Sequence, residues 1–425
     1  MIEDTTDDDH MRSFLGITPL KFILAVCFAP CHLAGAQQAS TVQDARLTGQ
    51  PIVARVEMKL VSDEKVLNVI EKGDLLTVIE ERPDDYVIVT HDGTKGAVPK
   101  VNASRVIESV PIYTELISEL PDEGRFHTLR ASAWWARGDV ASALQDFDQA
   151  IKLGYETPHA FSSRGLFHAA NGDASLALAD FETAIELDPE DVSLLINRAA
   201  IHLSIGNVEL ALADYDAAIA KDPDNQNVLH QRAIAYKSSG QFEAASNDFT
   251  RLIEIDSSDY RAIMGRGFLA FQQENHGDAV QDFGRAIELN PDDAIAWNNR
   301  GYNRFQLDQF EGAIADYRQA VKLEPTYGLA LQNLAWALAT CSDESLREPE
   351  EAIRVAEAAC KLSNYDSVAD LSALAAACAA AGKFERAVGW QEKVVAMVDE
   401  QYKDFATATL RRYEQKQPFA SKSGK

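Results

Sequence analysis

Arginine and aspartate recur in this sequence at a fixed spacing. Six arginines lie 34 residues apart, and each is followed 16 residues later by an aspartate. A guanidinium and a carboxylate can form a two-point ion pair, so the spacing indicates either a charged stripe for a ligand or a series of internal pairs. The ladder consists of Arg130, Arg164, Arg198, Arg232, Arg266 and Arg300 with Asp146, Asp180, Asp214, Asp248, Asp282 and Asp316.

Both positions of the ladder change together further along the chain. The arginine position becomes Leu334 and then Leu374, while the aspartate position becomes Val355 and then Trp390. Positions that are charged together and apolar together most simply face one another, so we interpret the ladder as structural pairing. The spacing leaves open whether the pairs form within a repeat or across the junction to the next.

The 34-residue period predicts helix hairpins that stack on one another. Glycines at four turn positions are followed five residues later by alanine, then by an aromatic residue, and prolines end most units. Small residues let two helices approach closely, and proline stops the second helix. A unit of this length cannot bury its own apolar face, so we predict a mainly α fold, an α-solenoid.

This pattern resembles the tetratricopeptide repeat family, which implies a right-handed superhelix of helix–turn–helix units. Eight units fit, at 124–157, 158–191, 192–225, 226–259, 260–293, 294–327, 328–367 and 368–401. The seventh is lengthened by a loop around Cys341–Glu344. We expect residues 109–123 to form a degenerate half-repeat, and residues 402–425 to form a capping helix with a disordered end.

The resemblance also implies a binding groove on the inner face of the first helices. Amide side chains there can hydrogen-bond an extended peptide, and aromatic side chains add contact area. Alternatively, the aromatic rings pack between adjacent first helices. The predicted groove residues are Asn197, His230, Gln231, Phe268, Phe271, Asn298, Asn299, Tyr302, Phe305, Gln332, Asn333 and Trp336. Only Lys237 and Arg261 are basic in these positions, so a clamp for a terminal carboxylate is not expected.

Residues 46–108 predict short strands and a small β-barrel. The segment from Glu71 to Pro99 resembles bacterial Src-homology-3-like domains. Tyr86 stands where that family has tryptophan, and Ala97 interrupts its Gly-Trp-Val turn. Recognition of proline-rich peptides needs an aromatic groove, so we do not expect it here.

The first 36 residues read as a secretory signal peptide. Arg12 and Lys21 precede an apolar run from Phe22 to Ala29, and Ala34-Gly35-Ala36 is a small-residue cleavage site. Acidic residues before Met11 favour translation from that methionine. The apolar run is shorter than the ~20 residues of a spanning helix, so no stable transmembrane span is expected after cleavage. The predicted location is periplasmic, cell-envelope or secreted.

Composition and motifs narrow the possible chemistry. A net charge of −26 argues against nucleic acid and anionic lipid as partners. Cys341 and Cys360 are predicted to lie roughly 15 Å apart on antiparallel helices, too far for a disulfide, so we expect buried free thiols. His168 and His202 share one repeat position, where core packing is favoured over a metal pair. No motif for catalysis, a cofactor or a metal is found.

Three functions are compatible with this sequence. The leading hypothesis is an exported, non-enzymatic scaffold that binds an extended protein segment. A second is binding of a cell-envelope polymer such as peptidoglycan or glycan through the strand domain, with the repeats as a spacer. A third is a subunit of a glycosyltransferase, because the repeats are similar to the non-catalytic array of O-linked N-acetylglucosamine transferases, although no domain remains to house that activity.

Overall fold

The computed structural model describes residues 49–62 and 65–419. The predicted signal peptide and the last six residues lie outside the described part of the chain. The described residues divide into two compact units, residues 49–223 and residues 224–419. Among these residues, no helix combines the length and the apolar character needed to cross a membrane.

Seven short strands open the described chain, which confirms the predicted strand region. A five-stranded antiparallel sheet has the order β6-β5-β4-β1-β7, and β2 pairs with β3 in a separate hairpin. The pairings of the described residues do not show closure into a barrel, which stays a prediction. The strands are β1 (Pro51–Ala54), β2 (Met58–Ser62), β3 (Lys65–Ile70), β4 (Leu75–Glu81), β5 (Asp85–Val89), β6 (Lys95–Pro99) and β7 (Ala103–Arg105).

Alternating apolar residues give the sheet its core. In β4, Leu76 and Val78 are buried while their neighbours face outward, which is the two-residue period of a half-buried strand. Ile52 of β1 lies opposite Leu76 and is also buried. The helix Val110–Glu119 lies between this region and the first repeat: the hydroxyl of Tyr113 donates a hydrogen bond to the carbonyl of Gly73 at 3.1 Å, and Leu116 shares a buried cluster with Phe126.

The rest of the described chain is helical, as predicted. Each of the eight segments assigned from the sequence contains a first and a second helix, and a single helix, Lys403–Glu414, follows the last of them. The pairs are Gly124–Ala136 and Val140–Lys152, Pro158–Ala170 and Ala174–Leu187, Val192–Ser204 and Val208–Lys221, Gln226–Ser238 and Phe242–Ile255, Tyr260–Gln272 and His276–Leu289, Ala294–Gln306 and Phe310–Leu323, Gly328–Thr340 and Pro349–Leu362, and Val368–Ala380 and Phe384–Met397.

Small residues allow the two helices of a hairpin to touch. The recurring alanines of the second helices, such as Ala143 and Ala313, are fully buried. Gly301 lies so close to the ring of Tyr317 that a Cβ there would come within 2.9 Å of it. Larger residues at these positions would push the helices apart, because protein interiors have little free volume.

A left-handed residue turns the chain between the two helices. Gly138, Gly172, Gly206 and Gly240 have φ between 76° and 88°, a region that glycine enters without steric cost. Repeats five and six keep this conformation with Glu274 and Asp308, at φ 57° and 58°. Repeat seven replaces the tight turn with a longer segment that includes a short 3₁₀ helix, Glu344–Leu346.

The last two repeats contain most of a large apolar cluster among the described residues. Ala406 and Tyr413 of the final helix are buried against them, and Gln391 donates a hydrogen bond to the carbonyl of Ala406 at 3.0 Å. The final helix therefore covers the apolar face of repeat eight, which would otherwise meet water.

Candidate functional site

Each arginine of the ladder binds the aspartate of its own repeat. In all six pairs the arginine Nε donates to one carboxylate oxygen at 2.8–3.0 Å, and Nη2 donates to the other at 2.6–2.7 Å. The first helix carries the arginine and the second the aspartate. The ladder therefore fastens the two helices of one hairpin together.

The remaining guanidinium nitrogen can reach the preceding repeat. Nη1 of Arg164 donates to Asp148 at 2.8 Å, and Nη1 of Arg266 donates to Thr250 at 3.2 Å, in each case 16 residues earlier. Arg130 makes the same contact with Thr114 of the helix that precedes the first repeat. One side chain can thus join two helices of its own repeat to the repeat before it.

The carboxylates of the ladder are buried, whereas the arginines stay partly exposed. The six aspartates retain only 1–7% of their exposure. The hydrogen bond with its aspartate raises the pKa of Arg164, and the same cause acts on Arg198 and Arg266. With both carboxylate oxygens occupied, the ladder serves to hold the fold and offers little to a ligand.

The predicted groove contains five half-buried aromatic side chains, which we term the aromatic stripe: Phe268, Phe271, Tyr302, Phe305 and Trp336. Phe271 and Tyr302, from adjacent first helices, meet edge to face with ring centroids 5.3 Å apart. Phe268 and Phe305 pack in the same manner on Phe283 and Phe310 of their own second helices. These rings can therefore serve both in packing and in contact with a ligand, since each packs on a neighbour and keeps an exposed part.

Three predicted amides lie deeper than a ligand-binding role requires. Asn298, Gln332 and Asn333 are 1%, 6% and 8% exposed. Nδ2 of Asn333 donates to Oδ1 of Asn298 at 2.9 Å, and Asn298 lies 3.5 Å from the hydroxyl of Tyr327, whose pKa is raised by burial. Asn298 and Asn333 therefore tie repeats six and seven together, while Asn197, Gln231 and Asn299 remain half-buried.

Further side chains link successive first helices. Nε2 of His230 lies 2.7 Å from Oδ2 of Asp259, whose other oxygen accepts a hydrogen bond from the backbone nitrogen of Ala262. Tyr260 in turn donates its hydroxyl hydrogen to Asp293. Asp259 and Asp293 are not among the predicted site residues, although an aspartate directly before a helix indicates an N-terminal cap.

His168, His202 and the three described thiols lie partly or fully buried in the repeats. His168 and His202 are half-buried, and their Nδ1 atoms have no hydrogen-bond partner. Across the described residues, no group of three or more side chains could hold a metal ion. The thiols of Cys341, Cys360 and Cys378 are free and buried, as expected, and burial raises the pKa of Cys360 to about 12.

Comparison with known proteins defines the family. The tetratricopeptide repeat family matches residues 101–159, 162–226, 230–294 and 264–328, just over half of the chain. The chain therefore belongs to the tetratricopeptide repeat family. A search of curated proteins found no match.

Several solved structures are similar to this chain. The C-terminal part of a repeat protein from Cytophaga hutchinsonii has a TM-score of 0.51 at 18% identity, covering 54% of this chain and 94% of its own. A tetratricopeptide protein from Parabacteroides merdae has a TM-score of 0.40 at 20% identity, covering 71% and 98%. YrrB, described as having an unusual peptide-binding site, has a TM-score of 0.39 at 19% identity, covering 44% and 95%. At these identities the likeness concerns the fold alone.

Proposed function

We propose that this protein is a non-enzymatic scaffold that binds an extended protein segment along the aromatic stripe. The observation that carries the proposal is the continuity of the stripe: exposed ring edges occupy corresponding positions of repeats five, six and seven. Aromatic side chains supply large contact areas with little loss of conformational entropy. The family to which the chain belongs is one of protein-interaction scaffolds.

The distribution of the ion pairs supports this assignment. The six carboxylates of the ladder are buried between the helices of each hairpin, so the six Arg–Asp pairs are engaged with one another. The partly exposed residues of the first helices in repeats five to seven include the five rings of the aromatic stripe. A binding surface of this kind suits an extended chain with apolar side chains at intervals.

The net charge of −26 favours a basic partner. Long-range attraction between an acidic protein and a basic segment accelerates association, and like charge disfavours acidic competitors. Lys237 already lies over the ring of Phe268, 5.9 Å from its centroid. A cation of the partner could approach the other rings of the stripe in a similar way.

Selection from a displayed peptide library on the full chain tests this function. We expect the enriched peptides to bind at least tenfold more weakly to Tyr302→Ala and to Phe271→Ala. The matched control is Leu210→Ala, which removes a side chain 52% exposed on a second helix. Selection of no peptide, or equal binding to all three variants, would remove the proposed surface.

We further propose that the chain is exported. The apolar run from Phe22 to Ala29 and the small residues Ala34-Gly35-Ala36 support a cleaved signal peptide. The test is amino-terminal sequencing of the protein recovered from fractionated cells. We expect Gln37 at the new terminus, whereas recovery of residues 1–36 on the cytoplasmic protein would refute export.

A further inference from the structure

The chain returns to the aromatic stripe after its final helix. Lys416 adopts a left-handed conformation at φ 58°, and Gln417 donates a backbone hydrogen bond to the carbonyl of Arg412 at 2.9 Å, which ends the helix and reverses the chain. Phe419 then reaches Trp336, 83 positions earlier, with ring centroids 5.5 Å apart. The guanidinium of Arg412 lies over the ring of Phe419, 5.9 Å from its centroid.

The inner face of repeat eight is unusually well covered. Ala376 is 1% exposed, whereas the residues at the same position of repeats two to seven all remain at least partly exposed. These residues are Leu166, Ala200, Ile234, Phe268, Tyr302 and Trp336. The first helix of repeat eight is also rich in alanine, and Ala376 belongs to the apolar cluster against which Phe419 packs.

The returning segment has the character that the proposed partner requires. Residues 415–425 contain Lys416, Lys422 and Lys425 and no acidic residue, while the whole chain carries a net charge of −26. Pro418 fixes its own φ and favours an extended conformation for the residue before it. Residues 415–419 therefore combine one positive charge, one aromatic side chain and a proline that favours an extended backbone just before the ring.

We propose that residues 415–419 are an internal ligand that covers the Trp336 end of the aromatic stripe, and that the external partner is a basic, extended segment whose aromatic side chain replaces Phe419 on Trp336. This inference rests on the function proposed above and names the chemistry of the partner. The internal segment sets the affinity that an external segment needs for binding. The external segment has to displace one that is held at a local concentration on the order of millimolar.

The covering of Trp336 by Phe419 is tested in the full chain labelled with 5-fluorotryptophan. The five tryptophans give five fluorine signals, and Trp336→Phe identifies one of them. We expect Phe419→Ala to shift the Trp336 signal and to increase its response to solvent, while Gln417→Ala, a change of an exposed side chain in the same segment, leaves it in place. An unchanged Trp336 signal in Phe419→Ala would overturn the proposal.

The ligand character is tested by adding the segment back as a peptide. A peptide with the sequence of residues 415–425 should return the Trp336 signal of the Phe419→Ala chain toward its original position at millimolar concentration. The same peptide with alanine in place of Phe419 should not do so, and the unaltered chain should bind the first peptide at least tenfold more weakly. No effect on the Phe419→Ala chain, or equal binding to both chains, would show that Phe419 is a fixed part of the fold.

These outcomes are separable from the proposed function. Library-selected peptides that bind the aromatic stripe should bind the Phe419→Ala chain several-fold more tightly if Phe419 competes with them. If they bind both chains equally, the internal ligand is refuted and the scaffold function stands. If the library yields no peptide on either chain while the tail peptide binds, the proposed function fails and the cover remains.

Discussion

Repeats one to six differ from repeats seven and eight in the residues that join the two helices of a hairpin. In the first six, a bidentate Arg–Asp pair joins the two helices of each hairpin. In the last two, Leu334 and Leu374 are buried at the arginine position, and Val355 and Trp390 at the aspartate position pack against the same apolar cluster. The hairpin therefore tolerates either an ion pair or an apolar contact, provided that both positions change together.

The two groups of repeats also differ in how far their first helices are buried. Ten residues of the first helix are buried in each of repeats seven and eight, against four to six in repeats one to six. A half-exposed helix needs a specific interaction to fix its register, and the ladder supplies one. A helix that is surrounded on most sides is fixed by packing alone.

The largest expected effect comes from breaking one pair in the ladder. Arg198→Leu leaves the carboxylate of Asp214, which is 5% exposed, without its bidentate donor. An unpaired buried charge costs roughly 3–5 kcal/mol, so we expect a loss of about 3 kcal/mol in the free energy of unfolding. Urea denaturation followed by circular dichroism measures it.

The control for this change is an exposed ion pair. Arg251 pairs with Asp224 and Glu254, and all three side chains are 46–61% exposed. Because solvent screens such pairs, Arg251→Leu should leave the unfolding midpoint unchanged within error. Equal losses for Arg198→Leu and Arg251→Leu would mean that burial of the carboxylate does not govern the ladder.

A smaller loss is expected where the aspartate has a second donor. Asp316 accepts hydrogen bonds from Arg300 and also from Nη1 of Arg304 at 2.8 Å. Arg300→Leu should therefore cost about half as much as Arg198→Leu, and adding Arg304→Leu should bring the loss to about 3 kcal/mol. A full loss in Arg300→Leu alone would show that Arg304 does not compensate.

Converting the ion pair of one repeat into an apolar pair should lower the free energy of unfolding by less again. The double change Arg198→Leu with Asp214→Val copies the pair of residues in repeat seven and leaves no buried charge. We expect it to lie within about 1 kcal/mol of the original chain, because a buried ion pair is often replaceable by apolar residues of similar volume. If it is less stable than Arg198→Leu alone, the comparison between the two groups of repeats does not hold.

The sequence predicts the ladder well and the surface less well, for different physical reasons. Positions 34 residues apart that vary together report a short-range contact within a regular helix hairpin. The distance of 16 residues from Arg130 to Asp146 is compatible with either kind of pairing, however, and only the relative placement of the helices selects the pair within a repeat.

The inner surface depends on side chains that are distant in sequence. Asn298 and Asn333 are buried because Tyr327 and the neighbouring repeat cover them, which their own position in the repeat does not reveal. Phe419 follows a polar segment and gives no periodic signal, and its contact with Trp336 depends on a reversal of the chain at Lys416. Such contacts lie beyond what a repeat pattern encodes.

The smallest expected effect is a pH dependence beside the ladder. His202 follows Arg198 by one helical turn, and burial lowers its pKa, with the charge of Asp214 acting in the opposite direction. Below about pH 6.5 the imidazole of His202 is protonated to a greater extent in the unfolded chain than in the folded chain. The free energy of unfolding therefore falls as the pH drops below that value. His202→Phe removes this contribution, so the difference in unfolding free energy between the two chains should grow in favour of the variant between pH 7 and pH 5, by well under about 1 kcal/mol because solvent screens a partly exposed imidazole. Urea titrations of both chains across this pH range isolate the contribution of His202, because the other titrating groups are common to both. A difference in unfolding free energy that stays constant with pH would mean that His202 gains its proton equally well in the folded and unfolded states.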